Sequence, residues 1–181
     1  VTTQELADDL ASRHGVSGAR FRVLPNIVPP GTGGSQATAE RESANTLTVV
    51  YAGAMSSVQR PELLLQAHRH LLRRRPDLAG RLEVEMCGPE NRYFRRRVAP
   101  HIGPGSRFLG FLPRAEVDGM MARADVGYLG LNDDTFAYAT PTKLFDYVEF
   151  GLPILGSLPR GAARRTVEEN GLGIVCGEGD V

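Results

Sequence analysis

From Leu47 onward, apolar runs and amphipathic stretches take turns along the chain. "LTVVYAG" is a continuous apolar run closed by a glycine, the pattern of a strand buried on both faces. "RPELLLQAHRHLLRRRPDL" follows, with Leu64, Ala67, His68 and Leu71 at the i, i+3, i+4, i+7 positions of one helix face. The same alternation then repeats. "LEVEMCG" predicts a second strand and "PENRYFRRRVAPHI" a helix. "RFLGFL" is a third strand, and "RAEVDGMMARA" a helix with Val117, Met120 and Met121 inward. "DVGYLGL", "PILGSL" and "GIVCGE" predict strands four to six, separated by the helices "TPTKLFDYVEFG" and "AARRTVEENG". Strands joined by helical crossovers of this length must run parallel, covered by helices on both faces. The expected fold is α/β, a doubly wound parallel sheet of about six strands in the order 3-2-1-4-5-6. Ligands of such sheets bind beyond the carboxyl ends of the strands, where the strand order reverses. Gly53, Gly88, Gly110 and the loop after Leu131 are expected at that edge.

The chain before Leu47 has a different texture. A capping-box pattern at Thr2-Thr3-Gln4-Glu5 predicts a helix running to about His14. "ARFRVLPN" alternates, which predicts a short strand over residues 20–24. "IVPPGTGGSQATAERESAN" is rich in Gly, Pro, Ser and Thr, too long for a connection inside a compact domain, and reads as a linker. Residues 1–28 are therefore expected to be the tail of a preceding domain, 29–46 an interdomain linker, and 47–181 the sheet domain. The chain opens on Val and stops straight after a strand-like segment, so both ends look cut.

Composition changes this picture little. Of 181 residues 41% are hydrophobic, enough for a real core. Lys+Arg and Asp+Glu are both 21, which argues against nucleic-acid binding through a broad basic field. The arginine runs at 73–75 and 95–97 are local exceptions. They read as solvated helix surface, or as a patch that docks on an anionic membrane surface or partner. Cys87 and Cys176 sit in apolar runs beside glycines and are expected to be reduced core thiols. The four histidines have no metal-ligand spacing. No apolar run approaches a membrane span, and no signal peptide is visible.

Candidate chemistry concentrates in "TPTKLFDYVEFGLP". Thr140 suits a helix N-cap and Pro141 the first helical position. Lys143 then lies in a first turn, where the macrodipole disfavours a cation. A phosphate bound at the free N–H groups would reverse that, because lysine and dipole would converge on one anion. Asp146 and Tyr147, at i+3 and i+4, can share the lysine's face, and an acid there suits ribose hydroxyls. The alternative is an exposed Lys143–Asp146 pair on an ordinary surface helix. "AGAMSSVQRP", after the first strand, offers small residues, Ser56, Ser57, Gln59 and a cation, Arg60, without the G-x-G-x-x-G spacing of a dinucleotide fingerprint. "HIGPGSRFLG" precedes a strand and reads as a turn. Asp133-Asp134 reads as a polar loop with no third metal ligand in view.

In order, these segments resemble the nucleotide-sugar-binding half of retaining GT-B glycosyltransferases, whose donor domain is Rossmann-like. "FRVLPNIVPP" resembles the strand and Asn-Gly-Val-Asp segment leading out of the family's N-terminal domain. "VVYAGAMSSVQRPELLLQAHRHL" is similar to the first strand, donor loop and helix of its C-terminal domain. "LEVEMCGPE" and "SRFLGFLPRAEVDGMMARADVGYLGL" resemble the stretches that follow. "TPTKLFDYVEFGLPILGS" is the most specific piece, similar to the P-x-K-x-x-E variant of the family's Glu–seven residues–Glu motif.

The resemblance implies a donor-nucleotide site made of Gly53, Gln59, Arg60, Gly88, Pro89, Phe111, Leu112, Tyr138, Thr140, Thr142, Lys143 and Asp146. Asp146 takes the ribose acid's position. Lys143, Thr142 and the helix start take the diphosphate site, Gly88-Pro89 the turn under the nucleotide, and Phe111-Leu112 the base-reading backbone. Arg60 and Lys143 would stabilise the leaving diphosphate. Tyr138 stands at the first Glu position, Ala54 where an Arg is often found, and Glu149 in place of a small residue. The family's activity implies transfer of a glycosyl group from a nucleoside-diphosphate sugar, UDP-sugar favoured, in surface polysaccharide, glycolipid or natural-product synthesis. No cofactor or metal is implied. The implied partners are the donor and an N-terminal acceptor-binding domain; the arginine runs themselves add the membrane surface as a further candidate partner. The implied location is cytoplasmic, peripheral to the membrane's inner face, and a donor half alone is expected to bind without turnover. A non-catalytic nucleotide-binding module and a sugar-nucleotide epimerase are the alternatives.

Overall fold

A computed structural model of the chain describes residues 1–24, 26, 45–132 and 134–177. Six parallel strands form one sheet: β1 (Leu47–Ala52), β2 (Leu82–Cys87), β3 (Ser106–Phe108), β4 (Val126–Gly130), β5 (Ile154–Ser157) and β6 (Gly173–Cys176). Their spatial order is β3-β2-β1-β4-β5-β6, as the alternation predicts. β1 pairs with β2 over its whole length, from Leu47↔Leu82 to Ala52↔Cys87. On its other side it pairs with β4 through Val49↔Val126 and Val50↔Gly127. The order reverses there, so the crevice of the doubly wound sheet opens between the ends of β1 and β4.

Alternation along β1 divides the core. Val50 points to the face covered by α3 (Arg114–Arg123), α4 (Thr142–Glu149) and α5 (Ala162–Glu169), among Met120, Leu129, Leu144 and Tyr147. Val49 and Tyr51 point to the face covered by α2 (Glu62–Arg74), among Leu64, Leu65, Met86 and Phe94. Gly127 matters to the first face. A Cβ there would stand 2.5 Å from the Tyr147 ring, so the glycine lets a fully buried tyrosine lie flat on the sheet.

Two segments depart from the pattern. The helix expected in "PENRYFRRRVAPHI" forms over residues 92–101, but its hydrogen bonding changes along its length: Phe94–Val98 is π-helical and Ala99–His101 is 3₁₀. Pro100 has no N–H to give and its ring crowds the preceding turn, which loosens the ladder there. The strand expected over residues 20–24 does not form. Gly18–Arg20 is a 3₁₀ turn, and the chain beyond it is irregular. With no strand beside it, its polar groups turn to the chain start: Leu24 N–H donates to the Val1 carbonyl at 2.8 Å, and the Val1 ammonium to the Arg22 carbonyl at 3.3 Å.

Helix α1 (Gln4–His14) forms where the capping pattern places it. Thr3 is its N-cap and accepts from Leu6 N–H at 3.2 Å. The helix lies against the sheet domain. Ala7 is buried, Thr3 Oγ1 donates to the Tyr138 carbonyl at 2.6 Å, and Glu5 meets Arg165 of α5 at 2.5 Å. The linker expected at 29–46 falls outside the described residues except for its last two positions.

Candidate functional site

Three segments converge on the crevice. The loop 53–61 leaves β1, the turn at Gly88-Pro89 leaves β2, and α4 begins after β4. Gly53 and Gly88 form its floor. Gly88 N–H donates to the Gly110 carbonyl at 2.9 Å, and Gly53 N–H to the Cys87 carbonyl at 3.0 Å. Both glycines have a φ that side chains avoid, 144° and 153°. A Cβ on Gly88 would lie 2.1 Å from the Gly53 carbonyl oxygen, and one on Gly53 would lie 3.0 Å from the Lys143 ammonium. Main chain and lysine therefore touch without any side chain between them.

Helix α4 starts one residue later than expected. Pro141, with φ −60° and ψ 140°, is the N-cap, and Thr142 is the first helical residue. No side chain caps the start, so the first N–H groups stay open to a ligand. Lys143 reaches from this turn across the end of β1. Its Nζ donates to the Tyr51 hydroxyl at 3.0 Å and stands 4.2 Å from the centre of the Tyr51 ring. Tyr51 is fully buried, and its hydroxyl donates in turn to the Ala54 carbonyl. Among the described residues no carboxylate lies within ion-pair distance of Lys143. Desolvation dominates and brings its ammonium from 10.5 down to about 8, with Asp146 and Cys87 opposing weakly.

Lys143 and Asp146 thus do not form the surface pair that was the alternative reading. Asp146 turns to α3, where Arg114 Nη1 donates to its Oδ1 at 3.1 Å. Arg114 also meets Asp118 at 2.7 Å and Glu149 at 4.0 Å, so one guanidinium serves three carboxylates. Tyr147 does not join the ligand face. It points into the core, its hydroxyl donating to the Tyr128 carbonyl at 2.8 Å.

The loop 53–61 is tied down on both sides. Asn132 N–H donates to the Val58 carbonyl at 2.7 Å, and the Gln59 carbonyl packs on Gly130, where a Cβ would be 2.0 Å away. Ser56 Oγ contacts the Gln59 amide, and Asn91 Nδ2 donates to the Met55 carbonyl at 2.8 Å. Arg60 is the one non-glycine residue with positive φ among the described residues, at 41°. Its Nε lies 3.6 Å from Glu62, which is buried and also accepts from the Tyr93 hydroxyl at 2.8 Å. The backbone here takes a shape that a glycine adopts freely. Arg60→Gly should therefore relieve about 1 kcal/mol of backbone strain. It should weaken diphosphate binding at the same time. A melting temperature that rises or holds while affinity drops would show both.

The other expected residues stand around this centre. Tyr138 is partly buried, its ring 6.3 Å from Phe136, and Thr140 offers its carbonyl to Asn26 at 3.4 Å. Thr142 and Pro89 are exposed. Phe111 is 78% exposed beyond β3, and Leu112 turns inward onto the α3–α4 side of the core. Tyr51, Asn91, Tyr93 and Arg114 were missing from the sequence-based set. Each acts through a partner more than thirty residues away, and no local pattern marks that.

A six-stranded parallel sheet in the order β3-β2-β1-β4-β5-β6 defines the class as a Rossmann-like α/β domain. The family described as Glycosyl transferases group 1 matches residues 36–181, and the chain belongs to it. Its fold is that of GT-B glycosyltransferases. WaaG, a glycosyltransferase involved in lipopolysaccharide biosynthesis, superposes with a TM-score of 0.72 at 18% identity, over 99% of this chain and 49% of WaaG. Anabaena Alr3699/HepE, in complex with UDP and glucose, gives 0.69 at 16%, over 98% and 48%. TarM gives 0.69 at 9%, over 99% and 33%. The chain thus spans half or less of the length of these structures. No curated protein matches the sequence.

Proposed function

We propose that this chain is the donor half of a retaining GT-B glycosyltransferase and holds the diphosphate of a nucleoside-diphosphate sugar, a UDP-sugar first. The observation that carries the reading is Lys143: a desolvated ammonium with no carboxylate at ion-pair distance among the described residues, above two touching glycines, at an uncapped helix start. A desolvated cation whose partners are a neutral hydroxyl and a ring is costly, and an anion at this spot offsets the cost. As the bond from sugar to diphosphate breaks, negative charge grows on the leaving oxygens. Lys143, Arg60 and the first N–H groups of α4 are placed to stabilise it, and positioning does the rest. Asp146 accepts from the ribose hydroxyls, and Phe111-Leu112 border the base. A separate acceptor-binding domain closes the cleft, and the reaction needs no metal. The pathway served is synthesis of a surface polysaccharide, glycolipid or natural product. Titration calorimetry with UDP, GDP and ADP tests this, UDP being expected to bind tightest. A folded chain that binds none of them at millimolar concentration would overturn it.

The lysine makes the binding pH-dependent in a stated direction. Free Lys143 loses its proton near pH 8, and a bound diphosphate holds that proton on. Affinity should be level below about 8 and fall above it, by up to about tenfold per pH unit. Lys143→Arg, charged throughout, should remove the fall. A wild-type affinity that stays level to pH 10 would detach the lysine from the phosphates.

Asp146→Asn keeps the size and removes the charged acceptor. It should weaken UDP by about tenfold and deoxy-UDP much less, since a hydrogen bond to a charged group contributes about 1.5–3 kcal/mol. Equal losses for the two ligands would return Asp146 to a structural role beside Arg114.

A further inference from the structure

The whole chain is neutral, yet its charge is divided. Residues 62–107 hold ten arginines against five acids, a net of +5, and the remainder holds eleven basic residues against sixteen acidic ones, a net of −5. Three of the five acids are already engaged: Glu62 with Arg60, Asp77 with Arg75, and Glu85 with Arg107. Arg69, Arg73 and Arg74 are exposed on α2, and Arg95, Arg96 and Arg97 on the π-helical turn beside it. Among the described residues none of these six forms an ion pair with a carboxylate. Arg69 and Arg73 stand one turn apart on one helix face, a like-charge spacing that is unfavourable without an anion between them. Arg69 also meets His101 Nδ1 at 3.0 Å, again with no acid at hand.

A cavity of about 200 Å³ lies between α2, the 3₁₀ turn ending at His101 and the loop into β3, lined by His68, Arg69, Leu72, Arg73, His101 and Ser106. It opens beside the start of β3, at the edge of the sheet opposite the donor crevice. Arginine stems, Leu72 and two imidazoles line it.

We propose that this arginine face docks on an anionic phospholipid membrane, with a lipid phosphate seated between Arg69, Arg73 and His101. Clustered arginines on one face supply the attraction, which decays within a Debye length and is weakened by salt. A single-stranded nucleic acid would call for exposed aromatic platforms, and the described residues of this face present none. Docked this way, the chain keeps its donor crevice clear of the lipid, because the crevice lies at the strand ends and not on the α2 face.

The test is co-sedimentation of the full 181-residue chain with vesicles of phosphatidylcholine alone or mixed with phosphatidylglycerol. The chain should sediment with the mixed vesicles at low salt, leave the pellet at high salt, and ignore phosphatidylcholine. The triple variant R69Q/R73Q/R96Q should lose about fivefold per arginine, about a hundredfold in all. The corresponding lysine variant should retain most of the binding, which separates charge from fold. UDP affinity, measured without vesicles, reads the donor site separately and should be the same in all three proteins. No binding to mixed vesicles, equal binding to both kinds, or a glutamine variant that binds like the wild type would each overturn the proposal. Displacement from the vesicles by an equal phosphate concentration of DNA would overturn it in favour of a nucleic-acid surface.

Discussion

Lys143→Met should make the unliganded chain more stable and nearly abolish diphosphate binding. The ammonium is held at about 8 against 10.5 in solvent, which corresponds to a cost of about 3 kcal/mol at neutral pH. The sign follows from proton binding. Between the two values the unfolded chain holds the proton and the folded chain releases it, so wild-type stability rises with pH across that window. Below about 8 the full cost is present. Methionine keeps the stem and removes the charge. It also forfeits the contact with the Tyr51 ring, worth about 0.5–2 kcal/mol. The net expectation is a gain of about 1–2 kcal/mol, or several degrees in melting temperature. The Tyr51 hydroxyl keeps its bond to the Ala54 carbonyl, so no buried group is orphaned. Binding of UDP should fall by at least about tenfold and that of uridine hardly at all. A lower melting temperature in the variant, or equal losses for nucleotide and nucleoside, would contradict this account.

Gly88→Ala should be among the most damaging single-methyl additions in the chain. Its Cβ would stand 2.1 Å from the Gly53 carbonyl oxygen, main chain that cannot swing aside. The φ of 153° adds strain for any side chain. Overpacking and backbone strain together should cost about 3–5 kcal/mol, or about 10 °C in melting temperature. Donor binding should fail with it, because separating Gly88 from Gly53 moves the floor under Lys143. Gly103→Ala is the control: nothing lies within 4 Å of its Cβ and its φ is not positive, so the change should stay within about 0.5 kcal/mol. A Gly88→Ala protein as stable as that control would refute the packing described for the crevice floor.

These two effects share a cause. The crevice is built from main-chain contact, and its charge is placed where the fold alone does not need it. A cation whose direct contacts among the described residues are a neutral hydroxyl and a ring, and an arginine at positive φ, both lower stability in the unliganded chain. Strain and desolvation of this kind are expected where a ligand completes the site.

Much of this was legible in the chain itself. Six apolar runs alternating with helical periods dictate parallel strands, and the handedness and adjacency rules for such units leave few strand orders. The glycines closing "LTVVYAG" and "LEVEMCG" mark the strand ends that form the crevice floor, and the helix carrying Lys143 starts at that edge as its sequence predicts. Those signals are local, carried by periodicity and by residue chemistry within a few positions. Where local signals had no long-range partner, they misled. Residues 20–24 alternate like a strand but find no strand to pair with among the described residues, and the helix before Pro100 runs as π and 3₁₀ turns that periodicity does not foretell.

What tertiary structure alone decided is where each side chain turned. Sequence placed Lys143, Asp146 and Tyr147 on one face. Packing sent the first to Tyr51, ninety-two positions away, the second to Arg114, and the third into the core over Gly127. The reason is physical: a helix period sets which residues can share a face, while burial and the partners offered by distant strands set which of them reach the ligand.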